Sequence, residues 1–158
     1  MHAKSLKFAD SFIHNLNAPT VRGNQVFVTS QDSRLQSFNI ETGARLWEHL
    51  AITEQATILG ATSVAVNEQI VVAGFNSGEV VALSPVNGNV LWTDSLTSRG
   101  TQVTPLSKLN AIVGRPVIDR DRMIVTSHGG RTAAIDIRSG ERIWTTDVGS
   151  IETPWVMG

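Results

Sequence analysis

The ionisable chemistry of this 158-residue chain rests on four histidines, 13 Lys and Arg, and 14 Asp and Glu; cysteine is absent. Without thiols there is no disulfide framework, no cysteine nucleophile and no cysteine-based zinc site. That leaves the compartment open, because an oxidising compartment permits disulfides without requiring them. His2, His14, His49 and His128 are scattered without a metal-ligand spacing. Asp119-Arg120-Asp121 offers two carboxylates that could divide acid and base roles. It stands, however, where Arg22-Gly23-Asn24 and Asn67-Glu68-Gln69 stand in a repeated unit, which makes it a solvated hairpin turn. Ser127-His128-Gly129-Gly130 has glycines that could approach a phosphate, but neither the lysine nor the strand-to-helix junction of a phosphate loop. His128 falls where the sister units carry Gln31 and Asn76, so a polar turn residue is expected. Val113-Gly114-Arg115-Pro116 places a cation in what reads as an ordinary loop. The expectation is a chain without catalytic residues, metal ligands or a cofactor.

Composition narrows the class further. The chain is 41% hydrophobic and 17% charged, with a formal net charge of −1. The apolar fraction excludes a disordered chain, and the length is ample for a buried core. Near-neutral charge gives no basic stripe, so nucleic acid is not an expected partner. No apolar run approaches the roughly 18 residues that cross a bilayer. The opening MHAKSLKFADS lacks the apolar core of a secretory signal. Four tryptophans and no tyrosine are the compositional oddity, and three of the four share one context.

That context is an internal repeat. Residues 34–47 read RLQSFNIETGARLW, 79–92 read EVVALSPVNGNVLW, and 131–144 read RTAAIDIRSGERIW. Trp47, Trp92 and Trp144 each follow a glycine by four positions: Gly43, Gly88 and Gly140. Before each glycine stands Thr42, Asn87 or Ser139, all small and polar. Eight residues before each tryptophan is Asn39, Ser84 or Asp136, able to bond its own backbone in a turn. Ten before it is Ser37, Ala82 or Ala134, always small. The step from Trp47 to Trp92 is 45 residues and from Trp92 to Trp144 it is 52. Agreement at so many offsets, three times over, is not chance.

Each unit reads as four short strands. Ala18–Val21, Ser63–Val66 and Arg115–Ile118 come first, with Pro19 and Pro116 at strand beginnings, where a missing N–H is tolerated. The β-prone runs Val26-Phe27-Val28, Val71-Val72-Ala73 and Met123-Ile124-Val125 follow. After a polar turn, a third strand carries apolar residues at alternate positions, as Val81 and Leu83 or Ala133 and Ile135 do. The glycine turn then leads to a fourth strand holding the tryptophan; glycine there supplies positive φ at little steric cost. Four antiparallel strands per 40–50 residues, as a rough period, is the signature of a propeller blade, and no stretch has the 3.6-residue period of a helical solenoid. The fold class is therefore all-β, an incomplete β-propeller of three blades plus the first strand of a fourth. Its segments are 1–17, the end of a preceding blade and a linker; 18–50, a blade; 51–95, linker and blade; 96–114, an extended inter-blade loop; 115–148, a blade; and 149–158, the start of the next.

The repeated motif (a small residue, Asp or Asn two positions on, then a small polar residue, Gly, and Trp four further) resembles the PQQ-type propeller repeat over about residues 18–158. Ser84 departs from it by lacking the acidic or amide side chain. The resemblance implies that each tryptophan docks between neighbouring blades, near the small residue and glycine of the repeat. It spans quinoprotein dehydrogenases, non-enzymatic scaffolds and ligand-binding sensor propellers, and a repeat fixes fold rather than activity. The quinoprotein enzymes are several-fold longer and often hold a vicinal cysteine pair, which this chain lacks. The segment SKLNAIVGRPVIDRDRMIVTSHGGRTAAIDIRSGERIWTTDVGSIETPW, from Ser107 onward, is similar to middle blades of the BamB family, lipoproteins of outer-membrane β-barrel assembly. That resemblance implies a non-catalytic scaffold, lipid-anchored at the periplasmic face of the outer membrane. It also implies that the seven extra residues between Trp92 and Pro116 form a loop docking on a BamA-like barrel-inserting subunit, with Leu106, Lys108 and Leu109 at the contacting positions.

Three blades and a fragment cannot close a ring of 4–8 blades in the ordinary way. The length that first reads as one domain therefore reads as a piece of a larger propeller. Its terminal blades are expected to expose apolar faces and to self-associate. Trp155, outside the repeat's register and after Pro154, is expected in the first strand of the next blade, packed in the core or on a neighbour.

Overall fold

A computed structural model describes residues 18–30, 32–51, 63–96 and 111–156. They form three four-stranded antiparallel sheets, each a meander in chain order. Blade one contains β1 (Thr20–Arg22), β2 (Gln25–Thr29), β3 (Arg34–Asn39) and β4 (Arg45–Leu50). Blade two contains β5 (Ala65–Val66), β6 (Val71–Gly74), β7 (Glu79–Leu83) and β8 (Val90–Ser95). Blade three contains β9 (Val117–Asp119), β10 (Arg122–Ser127), β11 (Arg131–Asp136) and β12 (Arg142–Thr146). The first strands are shorter than the sequence suggested. β1 and β9 start just after Pro19 and Pro116, which cannot donate to a ladder.

Side chains on a strand alternate between two faces, so a sheet between two others must be apolar on both. Blade two meets that demand. Val71, Ala73, Val81 and Leu83 join Phe27, Leu35 and Trp47 of blade one in one core. Val72, Val80 and Ala82 join Met123, Val125, Ala133, Ile135 and Ile137 of blade three in the other. This is why β6 and β7 read as unbroken apolar runs.

The glycine turns show how each sheet folds back. Gly43, Gly88 and Gly140 have φ of 71°, 72° and 74°, a left-handed conformation that favours glycine. Their N–H groups donate to the carbonyls of Asn39, Ser84 and Asp136 at 2.9 Å. Asn39 Oδ1 accepts from the Glu41 and Thr42 N–H groups, and Asp136 Oδ1 from those of Arg138 and Ser139. Ser84 keeps the backbone bonds of the turn, and Asn87 Oδ1 accepts from the Asn89 N–H. The motif's departure at Ser84 therefore leaves the turn intact.

Just past each turn the ladder slips by one residue. Ser37 pairs with Trp47 but Phe38 with Arg45; Ala82 with Trp92 but Leu83 with Val90; Ala134 with Trp144 but Ile135 with Arg142. Each slip leaves Leu46, Leu91 or Ile143 as the extra residue of a β-bulge, and all three are exposed. The small residue of the repeat lies directly across from the tryptophan, where a larger side chain would collide with the indole.

The tryptophans join blades, as the repeat implies. A Cβ on Gly88 would lie 2.7 Å from Trp47 ring atoms, and one on Gly140 would lie 2.7 Å from Trp92 Cγ. Each indole thus rests directly on the glycine turn of the following blade. Trp47 Nε1 donates to the Pro85 carbonyl and Trp92 Nε1 to that of Ile137, both at 2.9 Å. Arg142 of blade three adds a two-pronged pair to Asp94 of blade two, at 2.7 and 2.8 Å. Trp144 meets no such turn among the described residues and is 43% exposed.

Residues 147–156 enter no strand among the described residues, and Trp155 is 91% exposed. A blade's first strand is held by its second, as β1 is by β2, and Pro154–Val156 has no such partner among the described residues.

Two outcomes test this description. Ser37 is fully buried and its Oγ has no hydrogen-bond partner among the described residues, while the sister positions hold alanine. Ser37→Ala should therefore stabilise the chain by about 1 kcal/mol in urea denaturation, and a loss of stability would contradict the site's geometry. The Ser139 and Arg138 N–H groups hold the Asp136 carboxyl below the ordinary aspartate range. A depressed folded pKa gives stability that is full above about pH 4 and lost as pH falls through the folded value. Asp136→Asn keeps the acceptor, as Asn39 does, so it should leave the neutral-pH denaturation midpoint unchanged and flatten the acid loss.

Candidate partner-binding site

Leu106, Lys108 and Leu109 lie outside the described residues; the two ends of their loop are described. At its start, Leu96 is buried and its N–H donates to the Gly78 carbonyl at 2.9 Å. Blade one does the same with Ala51 and Ser33 at 3.0 Å. At its finish, Ala111 and Ile112 are buried between blades two and three. The Ile112 N–H donates to the Phe75 carbonyl at 3.2 Å, and the His128 N–H to the Ala111 carbonyl at 2.8 Å. Ile112 also bridges to Ser127. A Cβ on Gly74 would come within 2.4 Å of Ile112 Cγ2, so the isoleucine lies flat on bare backbone. Leu96 and Ala111 therefore both lie on the face that carries the β6–β7 and β10–β11 turns.

The charge at that rim follows the repeat. Arg34, Glu79 and Arg131 begin the third strands of the three blades. Arg34 pairs with Asp32 at 2.6 Å and Glu48 at 2.8 Å, and Arg131 lies 3.7 Å from Asp147. Glu79 sits across from Ser95 at the loop's root, and its Oε2 has no hydrogen-bond partner among the described residues. Burial pushes its carboxyl above the usual range. His128 is exposed in the turn where it was expected, and burial pulls the His49 imidazole down from its ordinary value.

The opposite face carries the hairpins between first and second strands. Asp119-Arg120-Asp121 forms such a hairpin, with Arg120 at φ 54° where blade one has Gly23 at φ 57°. Asp121 lies 3.6 Å from Arg138 within blade three, and Glu68 lies 3.3 Å from Arg22 across the boundary of blades one and two. These side chains line a shallow cleft of about 300 Å³. The Asp121 and Glu68 carboxylates each face an arginine. Among the described residues no cluster of three or more His, Asp or Glu could hold a metal ion.

Antiparallel four-strand blades joined by tryptophans on glycine turns define a PQQ-type β-propeller repeat protein. Comparison with known proteins agrees. The family profile for outer membrane protein assembly factor BamB matches residues 9–158, and the chain belongs to that family. It is 31% identical over 135 residues to the outer membrane protein assembly factor BamB of Nitrosomonas eutropha, covering 85% of this chain and 33% of that relative. The crystal structure of BamB from Moraxella catarrhalis superposes with a TM-score of 0.76 at 20% identity, over 88% of this chain and 42% of that one. Quinohemoprotein alcohol dehydrogenase from Comamonas testosteroni superposes at 0.68 and 20% identity, over 84% and 21% of the two chains. The chain spans about a third of the length of the curated relatives it matches.

The loop's root can be tested directly. Ile112→Ala should cost about 2–5 kcal/mol in denaturant unfolding and speed proteolysis between residues 97 and 110. A cost below about 1 kcal/mol would mean that the root is not packed as described.

Proposed function

We propose that the chain serves as part of a non-catalytic scaffold of the outer-membrane protein assembly machinery. In this reading it binds a BamA-like barrel-inserting subunit at the periplasmic face of the outer membrane, with a lipid anchor in the full-length protein. The family membership supports the scaffold role. The carrying observation is the inserted loop, whose ends are clamped between blades two and three by Leu96, Ala111 and Ile112.

The contact is made by Leu106 and Leu109, which bury apolar area on the partner, and by Lys108, which meets an acidic site. Each leucine contributes roughly 1.5–3 kcal/mol before ordering costs. The likeness to a quinohemoprotein dehydrogenase is a likeness of fold, and enzymatic activity is not part of this proposal.

Titration calorimetry against the periplasmic domains of the barrel-inserting subunit decides the matter. The Leu109→Ala, Lys108→Glu double variant should bind at least about tenfold more weakly, with an unchanged circular dichroism spectrum. Equal affinity of variant and wild type would overturn the docking assignment.

A further inference from the structure

The glycine turn of blade two is built like its sisters but with a different side chain before the glycine. In all three turns that residue accepts a bond from the N–H two positions on. Thr42 Oγ1 accepts from Ala44 at 3.2 Å, Ser139 Oγ from Glu141 at 3.2 Å, and Asn87 Oδ1 from Asn89 at 3.0 Å. A hydroxyl in that place is unreactive. An amide followed by glycine is not, because glycine has no side chain to hinder attack by its own nitrogen on the asparagine Cγ. Asn87-Gly88 is the only Asn-Gly step in the 158 residues, and Asn87 is exposed. The bond to Asn89 draws the Asn87 side-chain carbonyl forward over the Gly88 nitrogen. The same N–H stabilises the charge that develops on Oδ1 as that carbonyl is attacked. What restrains the step is the Ser84 carbonyl, which accepts from the Gly88 N–H at 2.9 Å. The sister turns are held further by Asn39 and Asp136, each capping two N–H groups. Among the described residues Ser84 supplies no such cap.

We propose that Asn87 is a self-modifying site, which converts to isoaspartate in the folded chain and thereby loosens the joint between blades one and two. The Gly88 nitrogen gives its proton to solvent and bonds to Asn87 Cγ. The Cγ–Nδ2 bond breaks, and ammonia leaves with a proton taken from water. Water then opens the resulting cyclic imide at either carbonyl. Cleavage at the Asn87 main-chain carbonyl leaves isoaspartate, with the chain routed through the side chain and one methylene longer; cleavage at Cγ leaves ordinary aspartate. Nothing is oxidised or reduced, and water is the one co-reactant. The place of the change gives it consequence. Trp47 rests on Gly88, where even an added Cβ would intrude to 2.7 Å. In the same turn the Pro85 carbonyl accepts from Trp47 Nε1 and Gln25 Nε2, both of blade one and both at 2.9 Å. A methylene inserted beside Gly88 moves that receiving surface away from the indole. The joint between blades two and three has the Arg142–Asp94 pair as well, whereas the same two places here hold Val90 and His49, which cannot form one.

Peptide mapping of the purified chain after ageing in warm, mildly alkaline buffer tests this, with electron-based fragmentation to separate isoaspartate from aspartate. Asn87 should convert at least about tenfold faster than any other asparagine, with isoaspartate the main product. Asn87→Ser takes the residue of the blade-three turn, so it keeps an acceptor for the Asn89 N–H and removes the reaction. On ageing, that variant should hold its urea midpoint, while the wild type loses stability and near-ultraviolet dichroism from its seated indoles. Ser84→Asp restores the missing cap and should slow conversion about fivefold. Earlier conversion of another asparagine, conversion at Asn87 in urea but not in the folded chain, or a Ser84→Asp variant that converts as fast as wild type would overturn the assignment. A fully converted wild type with an unchanged midpoint would overturn the effect on the joint.

Discussion

The contact of an indole with a bare glycine turn governs this architecture. Each blade is a small four-stranded sheet that cannot bury both faces alone, so much of its stability comes from contacts with neighbours. The Trp47–Gly88 and Trp92–Gly140 contacts set how close the outer strands approach, because a single Cβ at either glycine would intrude to 2.7 Å. The indole N–H bonds to Pro85 and Ile137 then fix where along the turn the ring stops. The alternating valines and alanines of β6 and β7 fall into two cores, one against each neighbouring blade.

That dependence explains why several otherwise unrelated features travel together. The tryptophan needs a small residue across from it, hence Ser37, Ala82 and Ala134. It must also leave the strand's ordinary alternation to lie over the next blade, and the β-bulge before it supplies the turn. Leu46, Leu91 and Ile143 are exposed because the bulge leaves each as the extra residue of its ladder. Their exposure follows from the joint and is not evidence of a ligand. The bulge raises the local twist, which is what a wedge-shaped blade requires.

Much of this was legible in the sequence because three copies of one unit can be compared. Strand order and the glycine turns follow from offsets that recur three times, while the seating seen for Trp47 and Trp92 was implied by the likeness to the repeat family. The bulge was not legible, since it moves the pairing without altering the spacing from Gly43 to Trp47. Nor was the buried hydroxyl of Ser37, which looks like any small residue until the strand across from it is known. Trp155 follows Pro154 where a first strand was expected, and a first strand pairs only with its second, as β1 does with β2. Leu106, Lys108 and Leu109 belong to the one segment with no counterpart in the other units. No recurring offset speaks for them, and only likeness to a family does.

The insertion point carries its own logic. A propeller of near-identical blades offers near-identical turns, so a partner distinguishes one sector from another only where the repeat is broken. Here the break lies between blades two and three, the joint reinforced by the Arg142–Asp94 pair and by Ile112 lying on Gly74. Extra chain entering a joint would ordinarily loosen it, since each added residue brings entropy that must be overcome. Burying Leu96, Ala111 and Ile112 fixes the chain where it leaves blade two and where it returns to blade three.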